Sequence, residues 1–318
     1  MNLLGTVCSG LLLAGALPHL DWGWLAWFAL VPFLLRFPFR NLPTAFGYGV
    51  LLGAVYLGGM SYWVAVFAAP LIGPALSVLG WVLLTLCKAF FIGIWAMGAQ
   101  WLWTRPSPWA WRLGVPALWA VVEWGRQWGA LGLSWGDLAY MQHAALPILQ
   151  VTKLTGIWGL AFLSVAVNLA LTETLKLRRL NVFAAFTTGA VGLALVYGIL
   201  ALRAEHLRPT FVAAALQGNI NQNTDHSPTY VARVMQTFSE QSRTAAQAGA
   251  TLTVWPETAF PGYLLTDLKT QTQAKHDAQI NHQTLVIGGA EFDWEQHKPA
   301  NSLFLMTPGG AFSGILSS

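Results

Sequence analysis

Charge is what this sequence has least of. Asp, Glu, Lys and Arg make up 9% of its 318 residues, against roughly a quarter in an average soluble domain. That shortage excludes a soluble protein built around one large core. Cysteine is scarce too. Cys8 and Cys87 both fall in apolar runs, so no disulfide framework is implied and the redox compartment stays open. No Lys or Arg precedes the first apolar run, which argues against a cleaved signal peptide. LLGTVCSG has a weak likeness to a lipid-attachment site at Cys8. Val7 stands where a small residue is expected, however, and a cysteine buried in a first helix is the better account. There is no Gly-rich phosphate loop, and His226, His276, His282 and His297 lack metal-ligand spacing, so neither a cofactor nor a metal is expected. The net charge of +4 is scattered singly between apolar runs, which excludes the clustered basic footprint of a nucleic-acid binder.

What is present is apolar. The chain is 55% hydrophobic with mean hydropathy +0.51, and its seventeen tryptophans outnumber seven tyrosines, as suits indole rings at the headgroup level of a bilayer. A spanning helix needs about 20 mostly apolar residues. Seven candidates lie near 3–20, 22–37, 44–69, 75–103, 108–125, 155–175 and 181–203. The first two are short, and the fourth is long enough to tilt or to extend past the bilayer. A transmembrane helical bundle over 1–203 is therefore expected. Arg36, Arg40, Arg105, Arg112, Lys176, Arg178 and Arg179 fall in alternate loops. The bias of basic residues toward the cytoplasm then puts the N-terminus inside the cell and everything after residue 203 outside. Arg126 and Lys153, and then Arg203 and Arg208, run partly against this pattern.

After Pro209 the composition changes. TFVAAALQGNI (210–220) reads as a strand followed by a Gly-containing turn, and 229–250 as a helix with Gly249 placed to end it. TLTVWPE is a second strand, 266–282 a polar helix, and 284–292 and 301–307 further strands. Strands alternating with helices indicate an α/β domain over 209–318.

Glu257 is the candidate catalytic residue. Pro256 fixes the backbone before it, so the strand cannot simply continue. The carboxylate is then held at a strand end, where α/β proteins place ligands. A solvated Glu at a strand end explains the same residues. The flanking Trp255 and Phe260 tip the reading toward function, because apolar neighbours desolvate a carboxylate and make it a useful base. In PALWAVVEWGRQWGALGLSWGDLAY (116–140), Glu123 and Arg126 stand i,i+3 and can pair on one helix face. Trp119, Trp124, Trp128 and Trp135 surround them. The segment reads either as an interfacial aromatic belt with a self-neutralised pair or as the lipid-facing floor of an external site. Lys88, mid-span, is a functional candidate by default, with snorkelling or a cavity-facing position equally open. Gly288 and Gly289 sit inside a strand pattern and read as permitting close packing.

Taken together, ALWAVVEWGR (117–126), LSWGDLAY (133–140), ALQGNI (215–220), WPETAFP (255–261), NSLFLM (301–306) and SYWVAVFA (61–68) resemble the apolipoprotein N-acyltransferase family of bacterial inner-membrane enzymes. The likeness runs over essentially the whole chain. It implies a polytopic α-helical bundle carrying a periplasmic nitrilase-like domain, an α-β-β-α sandwich, here incomplete. Its implied partners are a phospholipid acyl donor and an apolipoprotein acceptor. Nitrilase-like sites use Glu, Lys and Cys, and Glu257 matches the Glu. Its implied role is the base that takes the thiol proton as the Cys forms a thioester with the phospholipid's acyl group, before the acceptor amine collects it.

Two departures from the family pattern stand out. Asp225-His226 replaces the family's basic–aromatic Lys-Trp, which puts any contact made by that Trp in doubt. No Cys follows Cys87, and Lys269, Lys275 and Lys298 sit in no matching motif. The ending GILSS reads as a truncation, and the chain as given is expected to be inactive. Residues 209–318 are under half of what such a domain needs, so unpaired, aggregation-prone strand edges are expected. A non-catalytic membrane lipid-binding or assembly protein is the alternative. A polytopic transporter would need paired mid-membrane charges that the spans scarcely offer.

Overall fold

A computed structural model describes residues 2–18, 20–129, 132–204, 211–220, 227–257, 259–264, 267–293 and 297–317. Arg208, Asp225 and His226 lie outside the described residues, as does the side chain of Phe260. Two compact units, Met1–His206 and Leu207–Ser318, divide the chain.

The first unit is helical: α1 (Asn2–Gly15), α2 (Val31–Leu34), α3 (Leu42–Ile72), α4 (Pro74–Trp103), α5 (Pro108–Gly125), α6 (Leu146–Leu149), α7 (Thr152–Leu177) and α8 (Val182–Ala204). Four of these, α3, α4, α7 and α8, are long and apolar enough to cross a membrane. At about 1.5 Å per residue, the 31 residues of α3 and the 30 of α4 exceed a bilayer's hydrocarbon core. The two pack closely because small residues face each other: a Cβ added to Gly53 would stand 2.8 Å from the Ala89 Cα. The core is heavily aromatic. Trp95 and Trp119 are fully buried and meet edge to face at 4.7 Å.

The expected second span is not one helix. Residues Gly23–Trp27 form a 3-10 turn and only α2 follows. Broken backbone inside an apolar bundle survives only if its polar groups find partners, and buried side chains from three helices supply them. Ser9 of α1 accepts from the Phe33 amide at 3.0 Å. Gln100 of α4 brackets Phe39, accepting from its N–H at 2.8 Å and donating to its carbonyl at 3.2 Å. Asn168 of α7, completely buried, accepts from the Leu30 amide and donates to the Ala26 carbonyl, each at 2.8 Å. Below these, Lys176 donates to the Phe37 carbonyl, and Arg112 grips Glu173 at 2.8 Å. Basic side chains of α5 and α7 are thus tied into one end of the bundle.

In the second unit β1 (Val212–Ala215), α9 (Pro228–Gln247), β2 (Ala250–Val254), β3 (Phe260–Tyr263), α10 (Leu268–Ile280), β4 (Thr284–Asp293), β5 (Lys298–Met306) and β6 (Phe312–Ser317) build one mixed sheet. Its order is β1-β2-β4-β5-β6. The first three run parallel, and β5 and β6 antiparallel to their neighbours. Gly249, at φ +86, ends α9 as its position suggested. Leu285, Ile287, Phe304 and Met306 alternate along β4 and β5 and form one core with Val234 and Phe238 of α9 and Ala274 and Ala278 of α10. The observed architecture is a helical, membrane-type unit followed by an α/β unit.

Candidate functional site

The corner at Glu257 is an interruption in a strand position. β2 and β3 both pair with β4 along the same edge, the first at Thr284–Val286 and the second at Gly289–Ala290. Trp255 N donates to the Val286 carbonyl at 2.8 Å and Ala259 N to the Gly288 carbonyl at 3.0 Å. Between these bonds Pro256 and Glu257 arch over Gly288. A Cβ on Gly288 would lie 2.8 Å from the Glu257 Cα, so the close packing expected of this glycine is the packing of the Glu257 corner itself. The carboxylate therefore stands at the carboxyl ends of the parallel strands, outside the sheet.

The surroundings of Glu257 correct one expectation. Trp255 does not desolvate the acid. Its ring is turned into the core, 2% exposed, stacked on Phe238 at 5.1 Å and donating Nε1 to Ser242 Oγ at 3.0 Å. The Glu257 side chain is exposed to solvent, since the strand has ended at Val254 and Glu257 sits in the turn that Pro256 opens, where strand alternation no longer sets its direction. What holds it is Asn301 on β5, whose Nδ2 donates to Glu257 Oε1 at 2.8 Å. Sequence reasoning missed this partner. The signal was there, since Asn301 opens the NSLFLM segment. A cavity of about 320 Å³ adjoins the acid, walled by the loop Leu216–Ile220 after β1 and by Tyr230 and Phe238 of α9. Neither cysteine lies in this unit: Cys8 and Cys87 are on α1 and α4, and Cys8 is exposed rather than buried.

In the helical unit the expected Glu123–Arg126 pair is not formed. Arg126 ends α5, and the chain turns back so that Arg126 Nε and Nη2 both donate to Asp137 Oδ1, with side chains 1% and 0% exposed. Gln127 Nε2 donates to the other oxygen of Asp137 at 2.8 Å. Glu123 instead accepts from Trp119 Nε1 and from the Leu138 amide, each at 2.8 Å. Lys88 joins this cluster and donates to the Arg126 carbonyl at 3.3 Å. Trp119 is therefore core, while Trp124, Trp128 and Trp135 remain exposed. Sequence spacing could not show Asp137, eleven residues away, as the closer partner.

The network fixes LSWGDLAY against SYWVAVFA. Tyr56 donates its hydroxyl to the Gly136 carbonyl, and Trp135 lies 5.0 Å from Trp63. Between this contact and α1 runs a groove of about 1190 Å³ lined by Cys8, Leu11, Gly59, Trp63, Trp135 and Tyr140 among others. Its walls are almost wholly apolar. It exceeds the 300–1,000 Å³ or so typical of small-molecule pockets.

Residues 9–170 match the model of the apolipoprotein N-acyltransferase N-terminal domain, and residues 212–317 match that of carbon-nitrogen hydrolases. Apolipoprotein N-acyltransferase of Geobacter metallireducens is 29% identical over 326 residues, covering 98% of this chain and 62% of the relative. The enzyme of the same name from Gloeobacter violaceus is 32% identical, covering 82% and 51%, and that from Neisseria meningitidis 27% identical, covering 91% and 61%. The chain thus spans between half and two thirds of these relatives' length.

Proposed function

The chain belongs to the apolipoprotein N-acyltransferase family, and on that premise we propose that it forms the membrane unit and the base-bearing part of a phospholipid–apolipoprotein N-acyltransferase. The observation that carries this reading is Glu257, presented by its corner above a cavity and steered by Asn301. As general base, Glu257 takes the proton of a cysteine thiol while the sulfur attacks a phospholipid ester carbonyl. The lysophospholipid leaves with a proton, and a thioester remains. The amine of the acceptor's diacylglyceryl-cysteine then displaces the thiol, and the acyl group ends as an amide. The α/β unit would lie in the periplasm, since α8 starts just past the basic end of α7, at Lys176 and Arg178, and runs away from it to Ala204. The apolar groove beside Trp63 and Trp135 suits acyl chains.

The thiol is the part the α/β unit does not supply, because both cysteines lie on α1 and α4. The large apolar groove beside Trp63 and Trp135 supports a second reading, a membrane lipid-binding or assembly protein of this family. One pair of measurements separates the two. In a protein that joins this segment to the family's cysteine-bearing remainder, a phospholipid with a labelled acyl chain should leave a hydroxylamine-sensitive label, and Glu257→Gln should abolish it. Undiminished label in the variant removes the base assignment. Absence of label in both, with lipid still bound, supports the lipid-binding reading.

A further inference from the structure

Beside the Glu257 cavity lies a second one, of about 350 Å³, that shares Gly218, Asn219, Ile220, Tyr230 and Val234 with it. Both thus open against the same loop, 216–220. That loop is tied down: Leu216 N donates to the Val254 carbonyl at 2.9 Å, and Gln241 Nε2 of α9 to the Gln217 carbonyl at 2.9 Å. Asn219 sits at φ +46 and accepts from Gln217 Nε2 at 3.2 Å. The two cavities differ in charge. Among the described residues lining them, Glu257 is the acid of the first and Arg233 the base of the second.

Arg233 sits one helical turn after Tyr230 and one before Thr237, so the three share a stripe of α9 that faces the second cavity. Its guanidinium carbon is 5.9 Å from the Tyr230 ring centroid, and the side chain is otherwise exposed and engaged in no ion pair among the described residues.

We propose that this second cavity is an anion subsite that takes the phosphodiester of the glycerophospholipid whose acyl ester is presented to Glu257. The assignment rests on the acyl-transfer reading above. In such a lipid the reacting ester and the phosphate are separated by one glycerol backbone, so adjoining cavities suit them. The planar fork of Arg matches two phosphate oxygens at once. The carboxylate of Glu257 repels phosphate from the first cavity, so opposite charges in two adjoining cavities set which end of the head enters which.

The test uses the full chain held in amphipol, with dihexanoyl-phosphatidylglycerol and the phosphate-free dihexanoylglycerol as probes, read by calorimetry. The phosphate-bearing lipid should bind about fivefold tighter, the upper end for a charge pair at an exposed site. Arg233→Gln should erase that ratio, Arg233→Lys should keep part of it, and Glu257→Gln should leave it intact. A ratio unchanged in Arg233→Gln overturns the subsite. Inorganic phosphate that binds as tightly as the lipid, and depends on Arg233, overturns the lipid assignment in favour of a free-anion site. If neither lipid binds, the acyl-donor reading fails, and the subsite with it. Arg233 is exposed, so its replacement leaves the core untouched, as unchanged circular dichroism would verify.

Discussion

Asn301 holds Glu257 from across an intervening strand. The asparagine is on β5, opposite Ala290 of β4, yet its amide reaches the carboxylate at the end of β2 at 2.8 Å. The reach is possible because Gly288, on the same face of β4, leaves no side chain in the way. Among the described residues, Glu257 is thereby a single acid with one donor, set at the rim of a cavity. Asn301→Leu should lower the acylation rate about tenfold in an enzyme carrying the nucleophile, while Glu257→Gln should lower it about 10²–10⁴-fold. Both residues are exposed, so thermal unfolding should not move. An acylation rate untouched by Asn301→Leu would show that the contact does not orient the base.

Gly288→Ala tests the corner from beneath. The added Cβ would stand 2.8 Å from the Glu257 Cα, and backbone cannot give way as a side chain can. Overpacking of this kind costs roughly 1–3 kcal/mol, and here the displaced group is the residue proposed as the base. Hydrogen exchange in peptides covering 250–264 should accelerate, and acylation should fall further than stability does. Unchanged exchange would mean the corner has slack that the geometry does not suggest.

Asp277 gives the α/β unit a pH dependence. Burial on α10 raises its carboxyl above the usual range, against the hydrogen bonds it accepts from Ser239 and Gln273 and the nearby His276. A folded-state pKa above the unfolded value of about 3.9 means the folded unit holds this proton more tightly. The stabilisation is complete below the unfolded value and is lost as pH rises through the raised one. Asp277→Asn should therefore flatten the acid side of the stability profile and stabilise α9 and α10 near neutral pH, read by hydrogen exchange of those helices in the full chain. A steeper profile in the variant would reverse the sign assigned here.

Much of this was legible along the chain. The strands read at 284–292 and 301–307 are β4 and β5 to within a few residues, Pro256 announced the corner, and Gly249 marked the end of α9. What escaped the sequence were partners distant along it. Asn168 looks like one polar residue lost in an apolar span, and only the fold shows it bridging Leu30 and Ala26, 138 and 142 residues away. The second span differs from the expected continuous helix for the same reason, because hydropathy records apolar side chains but not the distant polar side chain that satisfies a broken backbone. Arg126 was assigned to Glu123 by helical spacing, which holds only while the helix lasts, and Arg126 is where it ends.

Asn168→Leu isolates that broken segment. The substitution keeps volume but leaves the Leu30 amide and the Ala26 carbonyl without their partner inside the bundle, each such group costing roughly 1–3 kcal/mol. The loss should exceed that of Asn181→Leu, a substitution at the start of α8 where the side chain bonds only the Ala184 amide and solvent can replace it. Thermal unfolding in detergent should drop far more for Asn168→Leu, and proteolysis within 20–41 should accelerate. Equal melting of the Asn168 and Asn181 variants would mean that water already reaches the segment, and that it lines a hydrated cavity instead of being sealed in the bundle.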